Sequence, residues 1–325
     1  MKRKILLTCF ILIQNSVFCQ SAIAQSNYPI KPIRIVVAWP PGSLIDVIAR
    51  VISEPMREIL KQPLLIENKV GATGAIGADI VSSAPPDGYT LLFTSAAINM
   101  TAAMSGKLNF RLTDAFTPVL NVAWSPMVLV SYPPLGIKSP QDLLLLSKNR
   151  QGNVFYATSG SGSPSHFTAE MFRMRTGMIS TSVPFKGSPQ AMSEQISGRV
   201  DYHFAVSSTA LPMIRDGRVS GVAVTSKTRL SAAPNIPTME EFGIKNFDAR
   251  YWNGIIAPRG TSSEITEKIA SVVNQVLALK DVQIKLAPYA NELDGLSNPK
   301  VFENLLKEDM DNWVAVVKEA NIRPE

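Results

Sequence analysis

Apolar residues in this chain follow two alternating rhythms. Ile33 to Trp39 is a run of β-branched and other apolar residues, the pattern of a strand buried on both faces, and Pro40-Pro41-Gly42 ends it. From Asp46 to Leu60 the apolar positions Val47, Ile48, Val51, Ile52, Met56 and Ile59 recur at helical spacing, so a helix is expected to begin near Asp46. A second strand is expected over 63–67. A Gly-rich turn then leads into a helix over 71–83, and a third strand covers 89–94. Strand and helix alternating in this way predict a parallel sheet with helices on its faces.

The theme returns in the second half. Strands are expected over 154–157, 181–185, 201–206 and 219–225, with helices running to Met174, over 189–197 and over 211–215. Between the two units, Phe116 to Tyr132 reads as one strand passing from the first to the second and ending at Pro133-Pro134. Beyond Arg229, a strand over 252–257 is expected to return to the first unit. Amphipathic helices follow over 262–279 and 299–321. The expected fold class is α/β, built from two such units.

The N-terminus changes the picture of where the chain works. Lys2, Arg3 and Lys4 precede a short apolar run, Ile5 to Ile13, and Ala22-Ile23-Ala24 offers the small residues of a cleavage site. A signal peptide over residues 1–24, cleaved after Ala24, is therefore expected, together with a periplasmic location. The apolar run is shorter than the roughly 20 residues a membrane span needs. Both cysteines, Cys9 and Cys19, lie inside this segment, so the mature chain has no thiol for a disulfide, a nucleophile or a metal.

The formal charge of +6 falls to about +3 once the three signal cations are removed, and the basic residues are scattered. No nucleic-acid partner is expected. His166 and His203, the two mature histidines, lack metal-ligand spacing, and no metal or cofactor is expected. Arg173 with Arg175, Glu240-Glu241 and Glu308-Asp309 read as solvated helix faces.

Two loops carry the candidate chemistry. Trp39-Pro40-Pro41-Gly42-Ser43-Leu44-Ile45-Asp46 joins a strand to a helix, so free amides at the helix start would face the strand's carboxyl end and favour an anion. A plain turn with Asp46 as cap is the alternative. The second loop, Thr158-Ser159-Gly160-Ser161-Gly162-Ser163-Pro164-Ser165-His166, stands at another strand–helix junction. It is dense in hydroxyls and carries no fixed charge, which suits reversible binding of a carboxylate. It lacks the Gly-Lys-Ser/Thr ending of a phosphate loop and the Gly-x-Ser-x-Gly of a nucleophile elbow, which disfavours a Ser165/His166 hydrolase. Gly71, Gly74 and Gly77 have GxxGxxG spacing, which a tight turn and close helix packing explain as well as a dinucleotide does.

These and further motifs resemble the Bug-type receptors, the solute-binding subunits of tripartite tricarboxylate transporters. The resemblance is carried from Tyr28-Pro29 onward by Pro40-Pro41-Gly42 with Asp46, Ala84-Pro85-Pro86-Asp87-Gly88-Tyr89-Thr90, Val183-Pro184-Phe185-Lys186-Gly187-Ser188, Gly198-Arg199-Val200-Asp201 and Pro234-Asn235-Ile236-Pro237-Thr238. It implies a type II periplasmic-binding-protein fold with a ligand cleft and a two-segment hinge. The lobes would be 25–124 plus 255–325, and 125–254.

The resemblance also implies that both loops grip one end of a small organic acid through Trp39, Gly42, Ser43, Asp46, Thr158, Ser159, Gly160, Gly162, Ser163, Ser165 and His166. Ser95, Asn99, Phe185, Lys186, Gly187, Ser207 and Ser208 would line the rest. The implied partners are that acid and membrane permease subunits, with the receptor acting as a monomer, non-enzymatically. A signalling co-receptor on the same fold is the other binding role. Ser43, Leu44 and Ile45 replace the small or hydroxyl residues usual in this loop, which favours a monocarboxylate or a partly apolar acid.

Overall fold

The computed structural model describes residues 27–105, 112–289, 292–319 and 322. The expected signal peptide and its cleavage site lie outside the described residues.

The first half builds as the apolar rhythm requires. Strand β1 (Ile33–Val37) leads to helix α1 (Leu44–Leu60), then β2 (Leu64–Asn68), α2 (Ala75–Ser82), β3 (Thr90–Ser95), α3 (Ala97–Ser105) and the single turn α4 (Leu112–Ala115). β1 pairs in parallel with both β2 and β3. Side chains alternate across the sheet, as the strand repeat of two demands. Ile35 and Val37 face a core shared with Ile48 and Ile52 of α1, whereas Val36 faces the opposite layer.

Strand β4 (Phe116–Ser125) closes this region, and β5 (Met127–Ser131) opens the next sheet. The expected single strand over 116–132 is thus two strands in two sheets. Pro126 sits between them and has no N–H to donate to a neighbouring strand. The second unit runs through α5 (Pro140–Asn149), β6 (Phe155–Thr158), α6 (Pro164–Thr176), β7 (Thr181–Pro184), α7 (Ser188–Ile196), β8 (Tyr202–Val206), α8 (Ser207–Arg215) and β9 (Ser220–Val224). Its strands lie in the order β7-β6-β8-β5-β9.

The chain then returns through β10 (Tyr251–Pro258), α9 (Ser263–Leu277), α10 (Lys280–Leu286), the short β11 (Glu292–Leu293) and α11 (Pro299–Glu319). The first sheet reads β11-β4-β10-β3-β1-β2, so both ends of the chain build it. The returning strand enters that sheet with Tyr251 opposite Ser125 and Trp252 opposite Trp124, close to the expected start at 252.

The two crossing segments are stitched side by side. The Met127 amide donates to Thr225 Oγ1 at 2.9 Å, and that hydroxyl donates to Ala249 O at 3.0 Å. Asn253 Nδ2 donates to Ser125 Oγ at 2.8 Å. α11 spans the joint. Trp313 stacks on Tyr251 at 5.9 Å between centroids and meets Phe167 of α6 edge-on at 5.1 Å. Asp309, one turn earlier, accepts from the indoles of Trp252 and Trp313 and from Asn99 Nδ2. The expectation of a solvated Glu308-Asp309 face therefore fails at Asp309, whose carboxyl burial pushes up to about 6 against these three donors. Arg173 also departs from its expected solvated face, since it pairs with Glu170, itself nearly buried and bonded by Tyr156.

Candidate functional site

The first candidate loop takes its shape from Asp46. Ser43 caps α1, its Oγ accepting from the Asp46 amide at 3.4 Å. The Asp46 carboxylate reaches back to accept the Gly42 amide at 2.9 Å, with Asn68 Nδ2 at 2.8 Å and Arg50 Nε at 3.0 Å on the same group. Asn68 also holds Trp39 O at 2.9 Å. Burial alone would raise the acid, but the bonds from Arg50, Gly42 and Asn68 outweigh it and hold the carboxyl below its usual range. Asp46 is 2 % exposed, so it shapes the loop from behind. The helix starts at Leu44, two residues before the expected position. By helix geometry the amides of Leu44 and Ile45 have no partner within the helix.

The second loop follows the same plan. Ser163 caps α6, accepting from the His166 amide at 3.4 Å. Ser165 Oγ accepts from the Ser159 amide at 2.9 Å and lies 3.1 and 3.0 Å from the hydroxyls of Ser159 and Ser163. His166 Nδ1 accepts from the Gly162 amide at 3.1 Å. Gly160 and Gly162 hold φ of 120° and 71°, values that glycine adopts without strain. Ser165 and His166 thus shape the loop, and no nucleophile–base pair of the kind a hydrolase needs is built from them.

Both loops follow the carboxyl ends of their strands, β1 and β6, where parallel sheets bind ligands. They open onto one cavity of about 550 Å³ between the two sheets. Of the expected residues, Trp39, Ser43, Ser95, Ser159, Gly162, Ser163, Ser165, Gly187 and Ser208 line it. Gly42, Asp46, Thr158, Gly160 and His166 stand behind the lining as parts of the loops. Phe185 and Lys186 flank Gly187 without lining the cavity, and Ser207 is fully buried at the start of α8. Asn99 is placed elsewhere. It is 1 % exposed and turned toward α11, where its amide donates to Asp309 at 2.8 Å.

Further residues line the cavity, some from the two loops and others from elements that the loops did not reveal. Leu44, Ile45, Met104, Met127, Phe204 and Val206 supply apolar wall, and Thr73, Thr101, Ser161, Ser188 and Thr209 supply hydroxyls. Tyr251 and Asn253 enter from the hinge strand β10, and Tyr251 Oη donates to Pro164 O at 2.7 Å, tying the second loop to the hinge. His203 lines the cavity from β8. Its Nδ1 lies 2.8 Å from Ala157 O, and burial lowers the imidazole to about 4. Among the described lining residues none is Asp, Glu, Lys or Arg. The glycines of the 71–77 turn serve packing. A Cβ on Gly77 would stand 3.1 Å from that of Ala38 and 3.2 Å from Lys69 O.

A larger cavity of about 850 Å³ lies between α6, Arg250 and α11. Arg250 is already engaged there with Asp248 and Glu292 and covers the Trp124 ring. Neither candidate loop contributes to the described lining of this cavity.

Comparison with known proteins agrees with this arrangement. Residues 48–322 match the model of the tripartite tricarboxylate transporter family receptor. Protein BugT of Bordetella pertussis is 30% identical over 93% of each chain. The periplasmic binding protein BugD is 28% identical with a TM-score of 0.76, covering 92% of this chain and 100% of its own. MatC of Rhodopseudomonas palustris, solved with bound malate, is 29% identical with a TM-score of 0.74, covering 89% and 100%. BugD is a periplasmic binding protein, and BugD and MatC share the two-sheet α/β fold seen here. On this evidence the chain belongs to the tripartite tricarboxylate transporter receptor family.

Proposed function

We propose that this protein captures a small organic carboxylate in the periplasm and presents it to the membrane subunits of a tripartite transporter. One observation carries the reading. Two loops, each capping a helix with a serine and each from a different lobe, converge on one cavity at the strand carboxyl ends, and the second is dense in hydroxyls. Helix N-termini carry a partial positive charge and unmatched amides, so together they favour an anion without a fixed cation. MatC, of the same fold, holds malate.

The mechanism involves no covalent step. Ionised oxygens accept hydrogen bonds from loop amides and serine hydroxyls, and these replace the water lost on entry. A ligand touching both loops binds the closed arrangement of lobes better than an open one and shifts the population toward it. Tyr251 is placed to couple the two events, because it touches the cavity, the second loop and α11 together. The membrane subunits would then read the closed form of a monomeric receptor.

A thermal-shift and calorimetric screen of the mature protein against a broad panel of mono-, di- and tricarboxylates tests this. A true ligand raises Tm with concentration as RT ln(1 + [L]/Kd). A panel in which no carboxylate shifts Tm, while sugars or amines do, would end the carboxylate reading.

A further inference from the structure

We propose that His203 sets ligand specificity: its Nε2 faces the cavity as a neutral hydrogen-bond acceptor and selects a carboxylate that also carries a hydroxyl or N–H donor. The proposal rests on the carboxylate-receptor reading above and narrows it.

The tautomer follows from the neighbour. Nδ1 lies 2.8 Å from the carbonyl oxygen of Ala157. A carbonyl can only accept, so Nδ1 carries the hydrogen. In a neutral imidazole the other nitrogen, Nε2, then keeps its lone pair. The ring is kept neutral by its surroundings. It is 2 % exposed, and no carboxylate stands among the described lining residues to hold it as imidazolium. Burial correspondingly depresses its pKa to about 4.

Among the described residues no protein group bonds Nε2, although His203 lines the cavity. An acceptor desolvated by a ligand and left unmatched costs free energy, so the ligand that fits is one that brings a donor. The loop amides at the starts of α1 and α6 supply the complementary half, since they can only donate and suit the carboxylate. One cavity therefore presents donors for an acid group and an acceptor for a hydroxyl.

The test compares matched acids by isothermal calorimetry: malate with succinate, lactate with propionate, and 3-hydroxybutyrate with butyrate. The hydroxylated member of a binding pair is expected to bind about tenfold more tightly, the worth of one hydrogen bond in a desolvated site. In His203→Phe that ratio should fall to about one, and in His203→Gln, which offers an amide oxygen, part of it should return. Thermal melts confirm that each variant is folded.

Titration of the wild-type protein in two buffers of different ionisation heat should show no proton uptake at pH 7.5. This arm needs no variant. Equal affinity within each binding pair overturns the proposal, as does a ratio unchanged in His203→Phe. Uptake of a proton on binding also overturns it, because His203 would then be a charged donor. If the screen finds a carboxylate outside these pairs, that acid and its hydroxylated or deoxy counterpart take their place. If no carboxylate binds at all, the receptor reading fails first, which separates the two outcomes.

Discussion

The thioether of Met104 packs against Gly162, so a helix of the first lobe touches the ligand loop of the second across the cavity. A Cβ built on Gly162 would stand 2.5 Å from Met104 Sδ and 2.6 Å from its Cε. Gly162 also holds a positive φ of 71°. Gly162→Ala is therefore expected to weaken carboxylate binding about tenfold or more and to cost about 1 kcal/mol of stability from backbone strain alone. Adding Met104→Ala should recover much of the affinity and little of the stability, because it removes the clash and leaves the strain. Calorimetry and urea unfolding of the two single variants and the double variant check this, and additive losses would show that the contact does not couple the lobes.

Asp46 stands behind the cavity lining and shapes the first loop. Asp46→Ala removes the acceptor of the Gly42 amide, Asn68 and Arg50 together. A loss of about 2 to 3 kcal/mol in urea unfolding is expected, since a buried charge-assisted cluster is broken. The carboxyl is held below its usual range, so its contribution is present above the ordinary carboxylate pKa and fades as pH falls below it. Asp46→Ala should accordingly lose the acid-limb part of the wild-type stability profile.

Two buried groups pull the pH profile in opposite directions. His203 has its pKa lowered to about 4, so the unfolded chain binds the extra proton and stability is lost as pH falls from about 6.5 toward 4. Asp309 is raised to about 6, so the native state keeps a proton that the unfolded chain releases. Its contribution is present below about 4 and is lost as pH rises through 6. His203→Gln is expected to gain stability relative to wild type on going from pH 7 to pH 4.5, by up to about 3 kcal/mol. Urea unfolding at three pH values reads the slope directly, and parallel profiles would show that His203 titrates normally.

With no charged side chain among the described lining residues, ligand affinity should respond weakly to salt. Neutral donors and desolvated dipoles are screened far less than exposed ion pairs. Raising NaCl from about 0.05 to 0.5 M is expected to change the affinity for a carboxylate less than about threefold. A steep fall would point to a cation acting at the site.

Much of the fold was legible because it rests on local periodicity. The β1–α1–β2 start, both cap-rich loops and the amphipathic α9 and α11 follow from apolar spacing and turn residues. The break at Pro126 was not legible, because Pro118 in the same apolar stretch also lacks an N–H and yet lies inside β4, paired with Ile256. α5 carried a signal in Ser139 and Asp142, which form a reciprocal capping box. Asp309 illustrates a subtler reading. It shares a helical stripe with Phe302, Leu306 and Trp313, at spacings of four, three and four, so its position already pointed inward. What the chain alone could not show is which distant segments meet. Met104, His203, Tyr251 and Asn253 reach the cavity only because the two sheets face each other, and no local pattern encodes that.

The joint between the lobes also carries the molecule's chromophores. Of the four tryptophans, Trp39 lines the cavity and Trp124 lies beneath the Arg250 guanidinium. Trp252 donates to Asp309, and Trp313 sits between Tyr251 and the second lobe's Phe167. Any swing of one lobe against the other changes the polarity and ring stacking around these indoles. The unlabelled protein should therefore report its own ligand occupancy as a change in ultraviolet emission.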